Sequence, residues 1–149
     1  MTDTVSPALP APETAAVVDR MYDALARGDV AAARACVTDD VVVWHSFDQV
    51  PVGHAELLTA WEQLIGGFAE RSFVDVRRSP VPGGWVQRHT MVCTTASGDR
   101  VAWPLCMFFT LRDGLVCRMD EYIDRAGRYT PDAHATTTPG LPPASAGVL

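Results

Sequence analysis

Residues 115–124, LVCRMDEYID, constrain this chain more than any other stretch. They follow the turn sequence Arg112-Asp113-Gly114 and divide at period two. Leu115, Cys117, Met119, Glu121 and Ile123 share one face, and Val116, Arg118, Asp120, Tyr122 and Asp124 the other. Successive strand side chains point to opposite faces, so Glu121 is a single carboxylate in an otherwise apolar row. An ionised carboxylate there is costly unless it is paired or faces a wet cavity. Glu121 is therefore either a site residue or half of a structural ion pair at a solvated strand end.

Upstream, the pattern turns helical at Glu13, with Val17, Val18, Met21, Ala24 and Leu25 as the apolar stripe. Gly28 suits the end of that helix, and Asp29 suits the N-cap of a short one over 30–36. Thr38-Asp39-Asp40 breaks it, and the β-branched and aromatic run 41–47 reads as a strand. After a loop containing Asp48 and Pro51, a third helix over 54–68 buries Leu57, Leu58, Trp61, Leu64, Ile65 and Phe68, with Gly66-Gly67 fraying its end. Strands are expected at 72–78, 85–94 and 101–111, with turns at 80–84 and 96–99. Trp103, Leu105, Met107, Phe109 and Leu111 form a strongly apolar face that should meet the helices. The fold class is α+β: three N-terminal helices on one face of a curved, mostly antiparallel sheet. Residues 1–12 read as a disordered lead, 13–129 as one domain and 130–149 as a low-complexity tail.

The composition limits the partners. A net charge of −6 at pH 7 argues against nucleic acid or an anionic membrane surface. All basic residues are arginine, so no lysine is present for Schiff-base chemistry. Cys36, Cys93, Cys106 and Cys117 lack metal-ligand spacing, and nothing in the sequence calls for a metal or a cofactor. A reduced, cytoplasmic protein is the inference, and no run is long enough to span a membrane.

The element order and the local signatures resemble the NTF2-like superfamily, especially its SnoaL-like small-molecule enzymes. The residues that carry the resemblance are Ala26-Arg27-Gly28-Asp29, Thr38-Asp39-Asp40-Val41, Gly53 before the third helix, Arg112-Asp113-Gly114, and Asp120-Glu121-Tyr122-Ile123-Asp124. The resemblance spans about residues 13–129. It implies a cone, a bent sheet wrapped around helices with a pocket at its open end. Compared with limonene-epoxide-hydrolase-like members, Arg88 and Glu121 occupy the arginine and carboxylate positions. Thr90, Val43 and His45 stand where those members have an aspartate, a tyrosine and an asparagine, so the water-activating set is not implied. Compared with ketosteroid-isomerase-like members, His45 fills the base position, the oxyanion tyrosine falls on Met21, one residue before Tyr22, and the protonated aspartate falls near Cys106 or Met107. SnoaL-like cyclases need only a carboxylate in an apolar pocket.

Parity groups the same candidates. Val41, Val43, His45 and Phe47 share the face that the resemblance turns inward. In the next long strand Val86, Arg88, Thr90 and Val92 share one face, and a slip of one residue exchanges Arg88 for His89. The catalytic candidates are His45, Arg88 and Glu121: histidine as a proton exchanger, Arg88 as an oxyanion stabiliser, and Glu121 as its anchor or a second acid/base group. His45 also reads as a satisfied core histidine. Val43, Phe47, Trp61, Thr90, Trp103, Leu105, Met107, Phe109 and Met119 are the candidate pocket lining. Asp48, His54 and His134 read as loop or solvent-facing residues, and Trp44, Phe108 and Tyr122 as packing or homodimer contacts on the outer face. Two functions are expected. One is a cofactor-independent proton-transfer enzyme (isomerisation, cyclisation or dehydration) acting on a small hydrophobic oxygenated compound of polyketide or steroid type. The other is a non-catalytic pocket protein. A cavity holding Glu121 with His45 and Arg88 favours the first; a filled cavity with Glu121 at the surface favours the second.

Overall fold

The protein is described here by a computed structural model covering residues 8–131. The expectations for residues 1–7 and for the tail from residue 132, including His134, lie outside the described residues. A short 3-10 turn, Pro12–Ala15, leads into α1 (Ala16–Arg27), followed by α2 (Val30–Arg34), β1 (Val37–His45), α3 (His54–Gly67), β2 (Glu70–Val81), β3 (Gly84–Thr94), β4 (Arg100–Arg112) and β5 (Leu115–Ile123).

The five strands form one sheet in the order β1-β5-β4-β3-β2, with β1 parallel to β5 and the other pairs antiparallel. The helices lie on one face of this curved sheet, giving the α+β cone that the resemblance implies. All five stripe residues of α1 are buried. Gly28 closes that helix with φ +79°, a left-handed conformation that glycine adopts at little cost. The Asp29 carboxylate accepts the Ala32 amide at 2.9 Å and starts α2. Arg71 of β2 fastens the helical layer to the sheet. Its guanidinium donates to the carbonyls of Leu25, Ile65 and Phe68, satisfying the C-terminal ends of α1 and α3.

Three boundaries differ from the sequence reading. First, β1 begins at Val37, and Thr38-Asp39-Asp40 bulge within the strand, because Val37 pairs with Val116 while Val42 already pairs with Arg118. The strand ends at His45, so Phe47 falls in the following turn. Second, β5 does not alternate throughout. Its pairing with β4 skips Cys117, since Thr110 faces Arg118 and Leu111 faces Val116. The extra residue turns Val116 inward, where it is fully buried, while Met119 and Glu121 keep their inward direction. Third, β2 is longer than expected and closes on β3 through a tight turn after Val81.

Candidate functional site

Between the concave face of the sheet and the helices lies a cavity of about 300 Å³. Its apolar walls come from α1 (Met21, Leu25), α3 (Leu57, Ala60, Trp61, Leu64) and the strands (Val43, Met91, Leu105, Met107, Met119). Val52 joins them because the loop after β1 folds back and pairs with Val43 through two backbone hydrogen bonds of 2.8 and 2.9 Å. The polar groups in this wall are few: Tyr22, His45, Glu56, His89, Glu121 and Arg125.

The parallel pairing of β1 with β5 brings His45 and Glu121 together. The two residues are partners in register, and the Ser46 amide donates to the Glu121 carbonyl at 2.9 Å, tying the strand ends. His45 Nε2 lies 3.9 Å from Glu121 Oε1. Each titration is shifted mainly by burial. Removal from water pushes the Glu121 carboxyl up to about 7, with the Arg125 cation partly opposing the shift. Burial likewise lowers His45 below its ordinary value, against the pull of Asp48 and with help from Arg125. Near neutral pH, Glu121 is therefore divided between its two protonation states while His45 is largely uncharged. That is the condition under which a carboxyl can both take and return a proton. Arg125 sits at the edge of this site, its guanidinium 4.5 Å from the centre of the Phe47 ring, which in turn stacks on His45 at 5.0 Å.

Across the cavity stand Tyr22 and His89, edge to face at 4.9 Å. The Tyr22 hydroxyl donates to Met107 Sδ at 2.7 Å. Burial, and secondarily the Glu121 charge, raise its pKa well above the ordinary value, so it stays a protonated donor. His89 is held neutral: burial, assisted by the Arg78 charge, lowers its pKa to about 4.

Of the residues singled out from sequence, His45, Glu121, Val43, Trp61, Leu105, Met107 and Met119 line this cavity. Arg88 and Thr90 do not. They lie on the convex face beside Asp75, Pro104, Cys106 and Tyr122, so the expected pairing of Arg88 with Glu121 is absent. The strand presents Gln87, His89 and Met91 inward instead, the alternative left by a one-residue slip. The reason is the β3–β4 hairpin. Residues directly opposite share a face, and His89 lies opposite Leu105, Gln87 opposite Met107 and Trp85 opposite Phe109. Once the apolar row of β4 turns inward, His89 must follow.

Three further lining assignments need correction. Phe109 is buried in the core behind the cavity, against Tyr22. Trp103 lies beyond the cavity, in a recess with Phe68 and Ile123, its indole N–H donating to the Arg125 carbonyl at 3.3 Å. Phe47 is 45 % exposed, because its strand ends two residues earlier. Tyr22, His89, Arg125 and Glu56 were missed as lining residues. The apolar row of β4 together with the short 96–99 turn contained the signal for His89.

Comparison with known proteins agrees with this architecture. Similar solved structures include a candidate polyketide cyclase from Silicibacter sp. TM1040, at 21 % identity and TM-score 0.65, covering 76 % of this chain and 90 % of that one. AclR, a candidate hydroxylase from Streptomyces galilaeus, has 20 % identity and TM-score 0.68, with 75 % and 89 % covered. An M. tuberculosis LEH-like epoxide hydrolase has 20 % identity and TM-score 0.62, with 75 % and 83 % covered. At these identities the likeness concerns the fold. No curated protein matches the chain significantly. The SnoaL-like domain family matches residues 18–119, which include β1, α3, β3, β4 and most of β5, and the chain belongs to that family.

Proposed function

We propose that the cavity binds a small, largely apolar, oxygenated molecule and moves a proton on it without a cofactor, with Glu121 as the acid/base group. The observation that carries this reading is a carboxyl enclosed by apolar walls and brought to a pKa of about 7, with a largely neutral imidazole 3.9 Å away. A group titrating near the working pH transfers protons most effectively in both directions. Isomerisation, cyclisation and dehydration all need such a group. His45 stands close enough to exchange a proton with Glu121 through the bound molecule or a bridging water. Glu121 inside an open cavity supports the catalytic reading over a pocket that only binds.

The test is proton exchange on enolisable, apolar carbonyl compounds in deuterated water, followed by NMR. The native chain is expected to exchange α-hydrogens faster than a solution of free carboxylate and imidazole at the same pH. Glu121→Gln should lower the rate by about 10²-fold or more, with the fold retained. Equal rates for the two proteins would refute the assignment.

The convex face presents Trp44, Phe108 and Tyr122, with the Tyr122 ring centre 5.4 Å from that of Trp44 and 6.2 Å from that of Phe108. Phe108 and Tyr122 are 40 % and 49 % exposed, which supports a second copy of this chain as the partner on that face. Light scattering at micromolar concentration should give a dimer, and Tyr122→Glu a monomer; a monomeric native chain contradicts the proposal. Among the described residues, no helix is long and apolar enough to cross a membrane. A cytoplasmic location is part of the same proposal.

A further inference from the structure

Outside the cavity, beside its mouth, lies a second recess of about 580 Å³ that the proton-transfer reading does not use. Its floor is apolar, formed by Phe68, Met91, Trp103 and Ile123, and its rim carries Arg125 and Arg128. Phe68 and Trp103 stand edge to face with ring centres 5.9 Å apart, and both are half-buried, so the floor offers aromatic surface to a ligand. The rim is the segment after β5, held in place by hydrogen bonds along its length. The Asp124 carboxylate accepts the Ala126 amide at 3.0 Å, and the Gly127 amide donates to the Asp124 carbonyl at 3.1 Å, closing a tight turn. The Trp103 indole N–H holds the Arg125 carbonyl at 3.3 Å, and Tyr129 exchanges backbone hydrogen bonds of 2.8 and 3.0 Å with Ala102. Arg125 and Arg128 thus leave the chain from one short loop that is tied to the edge of the floor.

The charge on this rim is not balanced from within. The chain carries 18 acidic residues against 12 basic ones, yet no carboxylate lines the recess among the described residues. The guanidinia of Arg71, Arg78, Arg112 and Arg118 each donate to an oxygen of a described residue. Those of Arg125 and Arg128 meet no such oxygen among the described residues. Arg125 lies 4.5 Å from the centre of the Phe47 ring, a contact that engages its charge and leaves its N–H donors unspent. Its cation lowers the titrations of both Glu121 and His45, as a charge without a local counterion does. Asp124, the carboxylate nearest in sequence, is turned into its own loop. An arginine in open solvent binds anions weakly, because water and salt screen it. Here an apolar floor adjoins two of them, and a ring buried on that floor excludes water from the charge contact beside it.

We infer that this recess is a binding site for an oxyanion carried on an apolar ring, an aryl carboxylate or an aryl phosphate, with the ring on Phe68 and Trp103 and the anionic oxygens held by Arg125 and Arg128. Each guanidinium presents its donors as a planar fork that matches the paired oxygens of either group. The site stands apart from proton transfer at Glu121 and needs none. The recess and the cavity share Met91, Ile123 and Arg125, so a ligand bound here sits at the entrance through which a substrate of the cavity passes.

The test titrates the full chain with 2-naphthoate, 2-naphthyl phosphate and 2-naphthamide, which share one bicycle and differ in the charge of the attached group. At least one of the anions should bind about tenfold or more tightly than the neutral amide, the scale of a charge-assisted hydrogen bond. The tighter of the two anions identifies the group the site takes. The Trp103 indole N–H signal in ¹⁵N-labelled protein should shift as the anion saturates. Arg125→Met and Arg128→Met should each weaken the preference for the anion, and the double variant should lose it while keeping the affinity of the native chain for the amide. Arg34→Met, which removes the same charge from the exposed end of α2, should leave the preference intact. Equal affinity for the three compounds, including no binding of any, overturns the inference. So does a preference that survives the double variant or falls as far in Arg34→Met, or a Trp103 signal that does not move.

Discussion

At pH 8, Glu121→Gln is expected to raise the free energy of unfolding by about 3 kcal/mol, and at pH 4 to leave it nearly unchanged. The sign follows from the direction of the shift. Folding raises the Glu121 carboxyl from its ordinary 4.5 to about 7, so between those values the folded chain holds more protons than the unfolded one. Stability from this group is complete below pH 4.5, falls as pH rises, and is lost once pH passes about 7. Glutamine occupies the same volume and is never charged, so it avoids the loss. His89 works the other way. Its pKa falls from 6.5 to about 4 on folding, so its contribution is complete above 6.5 and is lost as pH falls through 4. The two contributions offset one another across the window they share. The charged or titrating neighbours are His45, Tyr22 and Arg125 around Glu121 and Arg78 beside His89, and they are common to both proteins. Replacing Glu121 should therefore uncover the His89 slope, giving a variant whose stability climbs between about pH 4 and 6.5. Urea unfolding at pH 4, 6 and 8 checks this. A variant less stable than the native chain at pH 8 would show that Glu121 is held ionised by a partner, as the sequence reading with Arg88 supposed.

Gly84→Ala is expected to cost at least about 3 kcal/mol, or roughly 6–12 °C in Tm. A Cβ at Gly84 would stand 1.7 Å from the Phe109 carbonyl oxygen and 2.8 Å from its carbon. Both are backbone atoms of the adjoining strand, so no rotamer change relieves the clash, and β3 must move away from β4. Phe109 is almost fully buried, and the same pair of strands carries His89 and Met107 into the cavity. Gly98→Ala is the control. Gly98 has φ +90° with nothing within 4 Å of the added carbon, so only its backbone conformation resists the change, at about 1 kcal/mol. Thermal melts that place the two variants within a degree of each other would show that the β3–β4 contact yields easily.

Local chemistry in the sequence determined a large part of this protein. The stripe of α1, the Gly28 and Asp29 caps, the β3–β4 hairpin and the isolation of Glu121 in an apolar row each depend on residues a few positions apart. The bulges were less legible, because the pairing that skips Cys117 is set by β4 and not by the β5 sequence. Which face of β3 turns inward was ambiguous within β3 itself, where Arg88 and His89 compete with mixed neighbours on both sides. The cross-strand partners of β4 resolved it, since paired residues must share a face. Only tertiary structure could assemble the rest. The His45–Glu121 pair depends on the parallel register of β1 with β5, strands with α3, β2, β3 and β4 between them. The orientation of the Gln87 amide depends on Arg78 from β2 and Asp19 from α1. Periodicity reports which side of an element is dry. The pKa values of Glu121 and His89 depend on what stands on that dry side, and those groups come from elements that meet only when the sheet closes over the helices.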